Sequence, residues 1–561
     1  MPQGFLPFES SRTIVPREAR GAVFTKPWVV DLLLDLAGYL PDADLVDALA
    51  IEPAAGDGGF LVPMARRLVA SCRKSGRPLG DCADSLVGYE IDDGSATAAR
   101  AAVARGLMEI DVPDATAAKL AAGWVRSGDF LLDAFRLPKA DFVIANPPYI
   151  RLEDVDDEMT RLYRDAYATM RGRADLYVAF IEASLRLLKP GGVCSFICAD
   201  RWMLNQYGEG LRRLVTGGHG VEAVVEMHEA DAFEDDVSAY PAVTVIRRSP
   251  QGRAVVASVG REAGGGNGSG VVSALKAAAR GEEVPPVPGM VVAAVEGWFT
   301  GGDPWPCGSP KRLALLRWLE ERFEPLESEA TGTRVGIGVA TGRDGVFITR
   351  DAGLVETSRL LPLALASDTT SGRLQWSGHY LVDPWDDEGL VKLPDHPRLK
   401  AYLEKHRESL AKRHVAEKNP TAWYRTIDRV NRALVSLPKL YVPDIKDRLN
   451  PVLDSGATYP HHNLYVITSN GWDLEVLGGL LLSAVGQLFI ESYGVRMRGG
   501  YLRFQAQYLR RIRVPNPNAI PKARADELIR AFRERDRELA TRAACSIYGI
   551  DPEALEAAIG R

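Results

Sequence analysis

Asn146-Pro147-Pro148-Tyr149 is the stretch whose residue types and spacing point most directly to chemistry. It contains no nucleophile and no strong base. It offers the amide oxygen of Asn146, the carbonyl of Pro147 freed by a forced turn, and the flat ring of Tyr149. Two acceptors side by side can hold both hydrogens of an exocyclic amino group while the ring stacks on the heterocycle carrying it. Held in that way, the nitrogen lone pair turns out of conjugation, and charge arising on nitrogen during attack is stabilised. The tetrapeptide alone also fits a plain turn that ends a strand and buries a tyrosine, so the surrounding elements decide.

The element that must position it is Asp141-Phe-Val-Ile144, a short apolar run that reads as a buried strand. Pro147 cannot donate to a ladder and restricts Asn146 before it, so the strand ends there and Tyr149 falls at the carboxyl edge of a sheet. Ligands bind at that edge in open α/β sheets. Three further strand ends converge on the same place. Val46 to Ile51 leads into Glu52-Pro-Ala-Ala-Gly-Asp-Gly-Gly-Phe60 and then a helix through Leu61, Met64 and Leu68. The missing Cβ atoms of Gly56 and Gly58 let a ligand approach the backbone, although the spacing is not that of a dinucleotide fingerprint. Ser85 to Asp92 closes with Glu90, whose carboxylate can accept from two ribose hydroxyls while Ile91 lies against an adenine face. Ser127 to Leu131 presents Asp129 as acceptor for an adenine amino group, with Phe130 beside it. Before all of these, Thr25 reads as the N-cap of a helix that starts at Pro27 and has Val30, Leu33, Leu34 and Ala37 on its apolar face. A helix over 176–188 and a strand over 193–199 follow the Asn146 turn. The expected fold is α/β: a doubly wound, Rossmann-like sheet followed by a mixed α+β domain.

Glu52-Pro-Ala-Ala-Gly-Asp-Gly-Gly-Phe, Glu90-Ile-Asp, Gly128-Asp-Phe-Leu and Asn146-Pro-Pro-Tyr are similar to motifs I to IV of S-adenosylmethionine-dependent amino-methyltransferases. Their order, with the Thr25 segment first and a large domain last, resembles the γ-class (TaqI-type) DNA adenine-N6 methyltransferases. Asp175-Leu-Tyr-Val-Ala-Phe180 is similar to motif V, and Phe233 with Val237-Ser-Ala to motif VIII. The resemblance covers the first 250 residues or so and continues more loosely through Val335–Gly342 and Arg503–Leu509. It implies that Thr25, Glu52, Ala54 and Gly56 hold the methionine moiety of S-adenosylmethionine and that Glu90 takes the ribose. Ile91, Asp129 and Phe130 would enclose the adenine, with Phe180 walling the same pocket. Asn146 and Pro147 would bind the target amino group, and Tyr149 and Phe233 would sandwich the target base, with Val23 touching it. Double-stranded DNA is the implied partner, with restriction or defence proteins as cognate partners. Ala55 and Asp57 depart from the usual first motif, and the run after Phe233 is acidic where relatives carry a lysine.

At 561 residues the chain is too long for one ordinary core. The expected division is a catalytic domain over 1–255, a junction over 256–309 rich in glycine and proline, a target-recognition domain over 310–520 and C-terminal helices over 521–561. A hydrophobic share of 46% and a charged share of 25% are those of a globular protein, and a net charge of -6 gives no global attraction to nucleic acid. No signal peptide is read at the start, and Val476 to Ile490 is too short to span a bilayer, so a cytoplasmic monomer without membrane contact is expected. No metal site is read: His461-His462 has no nearby carboxylate or cysteine in sequence, and Cys194 and Cys198 fall in a strand pattern. Pro306-Cys307 reads as a loop cysteine. Arg496 to Arg513 interleaves arginines with Tyr501, Phe504 and Tyr508, which suits phosphate contacts with stacking as well as an edge strand with solvated arginines. The alternatives left open are a methyltransferase acting on RNA or protein glutamine through the same pocket, a combined nuclease and methyltransferase, and a non-catalytic DNA-binding scaffold.

Overall fold

A computed structural model of the chain describes residues 23–172, 174–234, 240–264, 268–306, 309–496 and 501–559. Val237-Ser-Ala, Cys307 and Arg498 lie outside the described residues. The chain divides into two compact units, Met1–Pro310 and Lys311–Arg561.

The first unit is built on strands β1 (Ala50–Glu52), β2 (Leu86–Glu90), β3 (Val125–Ser127), β4 (Ala140–Ala145), β5 (Leu188–Ala199), β6 (Gly220–Glu226), β7 (Pro241–Arg247), β8 (Ala254–Val259) and β9 (Met290–Val295). They form one sheet in the order β3-β2-β1-β4-β5-β7-β6-β8-β9. β1 pairs in parallel with both β2 and β4, so the strand order reverses between them and a crevice opens at the carboxyl edge. β7 runs antiparallel to both β5 and β6. β8 and β9, with a helix at Ser269–Arg280 between them, extend this sheet from the segment read as a junction. Runs rich in valine and alanine supply that extension, and the intervening glycine-rich run punctuates it.

β1 is shorter than the apolar run predicts. Val46 leaves the ladder because its carbonyl accepts from Ser85 Oγ at 2.6 Å, and pairing starts at Ala50. Helix α1 (Pro27–Ala37) buries Val30, Leu33, Leu34 and Ala37 as predicted, and Val29 and Leu32 as well. Each large aliphatic side chain so buried contributes roughly 1.5–3 kcal/mol. Its N-cap is Lys26 rather than Thr25, and no side chain caps it. Thr25 is instead drawn into a bridge with Phe233.

The second unit contains a four-stranded antiparallel sheet of Arg334–Ile337, Leu464–Thr468, Lys439–Pro443 and Val452–Asp454. A second sheet joins Ile348–Thr349, Tyr380–Val382, Leu360–Ala364 and Tyr459–Pro460. A helical turn at Asp344–Phe347 leads into Ile348–Thr349: Val346 and Phe347 turn into the core, and Phe347 N donates to Arg343 O. The helices at Lys522–Glu534 and Arg537–Tyr548 pack on the apolar pair Leu474–Leu482 and Ala484–Tyr493, which breaks at Ser483. Among the described residues no single helix is long and apolar enough to cross a membrane.

Candidate active site

The turn after β1 is tied to the end of β2. Ala55 N donates to Tyr89 O at 2.7 Å, and Gly56 N donates to Glu90 Oε2 at 2.9 Å. Gly56 and Gly58 adopt left-handed backbone conformations, which a side chain would strain. Asp92 N donates to the other Glu90 oxygen at 2.9 Å, so that carboxylate is fixed by backbone donors on both oxygens. Ile91 beside it presents an apolar side chain that is 57% exposed.

Glu52 is fully buried. Its Oε1 accepts from Ala54 N at 3.2 Å, and its Oε2 has no hydrogen-bond partner. Burial pushes its carboxyl well above the usual carboxylate range, against the pull of the Ala54 N–H, and nearby Glu90 adds to the rise. A buried carboxylate lacking a cation fits a ligand that brings a positive charge to this turn.

Asp129 caps the turn after β3, accepting from Leu131 N at 2.8 Å. Its second oxygen accepts from the Tyr163 hydroxyl at 2.6 Å, a residue that sequence reasoning missed because it lies 34 positions away on the helix Asp157–Ala166. Burial raises the Asp129 carboxyl above its ordinary value, and the Tyr163 and backbone hydrogen bonds oppose this. Phe130 and Phe180 stack with centroids 5.7 Å apart and planes inclined by 21°, so both line one wall.

Asn146 follows directly on β4. Its Nδ2 donates to Val23 O at 2.9 Å and to Thr25 Oγ1 at 3.0 Å. Its Oδ1 is buried without a partner, and so is the Tyr149 hydroxyl. The Thr25 segment is laced to Phe233: Lys26 N donates to Ala232 O at 3.0 Å, and Glu234 N to Phe24 O at 2.9 Å. Phe233 therefore reaches Tyr149, but the two rings stand edge to face, 82° apart with centroids at 6.2 Å. The parallel slot expected for a sandwiched base is closed by this arrangement.

Other expectations fall in the second unit. His461 and His462 do meet a carboxylate: Asp344, 117 positions away, places Oδ2 at 3.2 Å from His461 Nε2. The arginine-rich stretch braces its own unit. Arg503 pairs with Asp444 and Arg510 with Glu327, while Phe504 and Tyr508 are core residues. Cys194 and Cys198 are buried in β5, and burial pushes both thiols up.

Residues 127–233 match the family model described as Eco57I restriction-modification methylase, a span that includes Asp129, Asn146, Phe180 and Phe233. The type II methyltransferase M.PaeR7I of Pseudomonas aeruginosa is 42% identical over 546 residues, covering 96% of this chain and 93% of the relative. M.XhoI of Xanthomonas vasicola is 42% identical over 542 residues, covering 95% of this chain and 98% of the relative. The type IIL restriction-modification enzyme MmeI, solved in complex with DNA, matches 95% of this chain and 74% of its own with a TM-score of 0.55. At 13% identity that likeness concerns the fold alone. With relatives of 42% identity along nearly its whole length, the chain belongs to the type II restriction-modification DNA methyltransferases.

Proposed function

We propose that this chain transfers a methyl group from S-adenosylmethionine to N6 of an adenine flipped out of double-stranded DNA, as the modifying partner of a restriction system. The observation that carries the reading is the state of the Asn146 amide: its nitrogen is anchored twice, and its oxygen is buried without a partner. An exocyclic amino group supplies the donor that this oxygen lacks, and the Pro147 carbonyl takes the second hydrogen.

S-adenosylmethionine is the methyl donor its family implies, and when bound it supplies an electrophilic methyl on a sulfonium. Glu52 would face the positive charge of the methionine moiety, with Thr25, Ala54 and Gly56 around it. Glu90 would accept from the ribose, and Ile91, Asp129, Phe130 and Phe180 would enclose the adenine. Asn146 and Pro147 would hold N6 with its lone pair directed at the methyl group, and the two acceptors would stabilise the charge that develops on nitrogen. Tyr149 and Phe233 would grip the extruded base after Phe233 turns from its edge-on pose. The order of the motifs favours the γ class. The second unit would supply the contacts that select a DNA sequence, and the enzyme would work in the cytoplasm as a monomer.

Tritiated S-adenosylmethionine incubated with unmethylated duplex DNA, RNA and bulk protein tests this reading. Label in DNA, recovered after nucleoside digestion as N6-methyladenine, is the expected result. Label in cytosine, or in RNA or protein alone, would overturn it.

A further inference from the structure

We propose that His228 is a positioning residue for methyl transfer: clamped between Asp200 and Glu226, it anchors the segment that carries Phe233. This rests on the pocket reading above. β6 ends at Glu226, and the chain passes through Met227 and His228 before it reaches Phe233. His228 Nδ1 lies 2.8 Å from Glu226 Oε1, and its Nε2 lies 2.8 Å from Asp200 Oδ2, just past the end of β5. An ionised carboxylate only accepts, so both ring nitrogens donate and the ring between the two is an imidazolium. The ring also meets the edge of Tyr240, with centroids 5.0 Å apart, and the Arg201 guanidinium lies over that tyrosine at 4.9 Å. Among the described residues, Asp200, Glu226, Tyr240 and Arg201 are thus the titratable and charged groups recorded around it.

The 227–234 segment is held at two places. Toward Phe233 it is laced by backbone bonds to residues 24–26, the Trp28 indole donates to Asp231 O at 3.2 Å, and Lys26 forms an ion pair with Asp231. At its other end Met227 N donates to Pro241 O at 2.9 Å, and beside that bond stands the charged clamp of His228. Backbone bonds do not titrate, so the imidazole is the group at the root that does. The perpendicular pose of Phe233 on Tyr149 means that the wall has to turn when a base enters. The turn is productive only if the root of the segment stays fixed, and the His228 clamp fixes it.

Burial disfavours the charged imidazole, but the hydrogen bonds and charges of Asp200 and Glu226 outweigh it and raise His228 to about 9. The folded ring is therefore charged and the clamp complete at neutral pH; its contribution to stability is full below the ordinary histidine range and is lost as pH rises through about 9. Above that pH the neutral ring can satisfy one carboxylate at most.

The test is single-turnover methylation of unmethylated, in vitro amplified genomic DNA across this range, using the full chain. The wild-type rate is expected to fall on an alkaline limb near pH 9. His228→Gln is expected to be about tenfold slower at neutral pH and to lack that limb, with cofactor affinity within about twofold of wild type. His228→Lys, which keeps a cation, should recover much of the rate and move the limb upward. Glu226→Gln, which spares the ring, should move it downward, so a poorly folding His228→Gln does not decide the matter. A native rate in His228→Gln, or a limb that survives the loss of the imidazole, overturns the assignment while the pocket reading stands. A wild-type chain that puts no methyl group on adenine overturns both.

Discussion

Asn146 Nδ2 donates to Thr25 Oγ1 at 3.0 Å across 121 positions of sequence. This bond, with the one to Val23 O, fixes the amide nitrogen and leaves the amide oxygen buried without a partner. A threonine that sequence reasoning placed as a helix cap and as a cofactor contact thus also orients the group proposed to receive the target amine.

Replacing the amide should therefore grade in a specific order. Asn146→Ala is expected to lower the transfer rate by about 10²–10³-fold, the cost of removing one preorganised polar group from a reacting centre. Asn146→Asp keeps the shape but sets a carboxylate oxygen against the Val23 carbonyl, which cannot donate, so its loss should be as large. Thr25→Val removes one of two anchors and should cost about tenfold, given a net hydrogen-bond worth of about 1 kcal/mol or a little more. Single-turnover rates measured beside cofactor affinity check the order; an active Asn146→Asp would contradict it.

Tyr149 presents the opposite case, because its hydroxyl is buried without a partner. Tyr149→Phe should keep the transfer rate within about threefold. It should also stabilise the first unit by about 1 kcal/mol or more, since an unsatisfied buried group is removed. Tyr149→Ala loses the stacking face and should fall by about a hundredfold. Thermal melts and initial rates on the two variants separate the roles of ring and hydroxyl.

Glu52 couples stability to ligand. Its folded carboxyl titrates well above the ordinary range, so the folded chain holds a proton that the unfolded chain has released, and stability falls as pH rises through that window. Glu52→Gln should remove this decline and raise the melting temperature of the ligand-free protein at neutral pH. The same change should weaken S-adenosylmethionine by tenfold or more, about 1.4 kcal/mol, and abolish most of the thermal shift that the ligand gives the wild type. Calorimetry with and without ligand reads both effects. A variant that melts lower without ligand and binds normally would contradict them.

Tyr163→Phe removes the hydroxyl donor to Asp129. Without it the buried carboxyl should rise further, because that hydrogen bond is one of the interactions opposing burial. Cofactor affinity is expected to drop about fivefold with the KM for DNA unchanged. The loss should grow as pH falls and Asp129 takes up its proton. Equal weakening of cofactor and DNA would assign Tyr163 to packing instead.

The parallel half of the sheet was legible because each strand ends on residues with a stated physical consequence: Glu52 before a glycine turn, Glu90, Asp129, and the Asn146-Pro147 pair. Bonds between distant segments were not legible. The Thr25 anchor, the Tyr163 hydroxyl and the Asp200 side of the His228 clamp join positions 28 to 121 apart, and nothing local in those residues announces these partners. β8 and β9 were hidden for a different reason. The glycine and proline runs around them signal punctuation, and an edge extension of an existing sheet looks the same as a linker until its pairing is seen.

The bare side chain of Ile91 has a thermodynamic consequence. Its hydrocarbon stands in water at the edge of the sheet, beside a carboxylate already fixed by two backbone donors. Covering it with a flat heterocycle would release the hydrating solvent, and dehydration of apolar surface carries a negative heat-capacity change. Donor capture would then grow more exothermic on warming, and the tightness of the complex would respond to temperature through a residue that makes no hydrogen bond with its side chain.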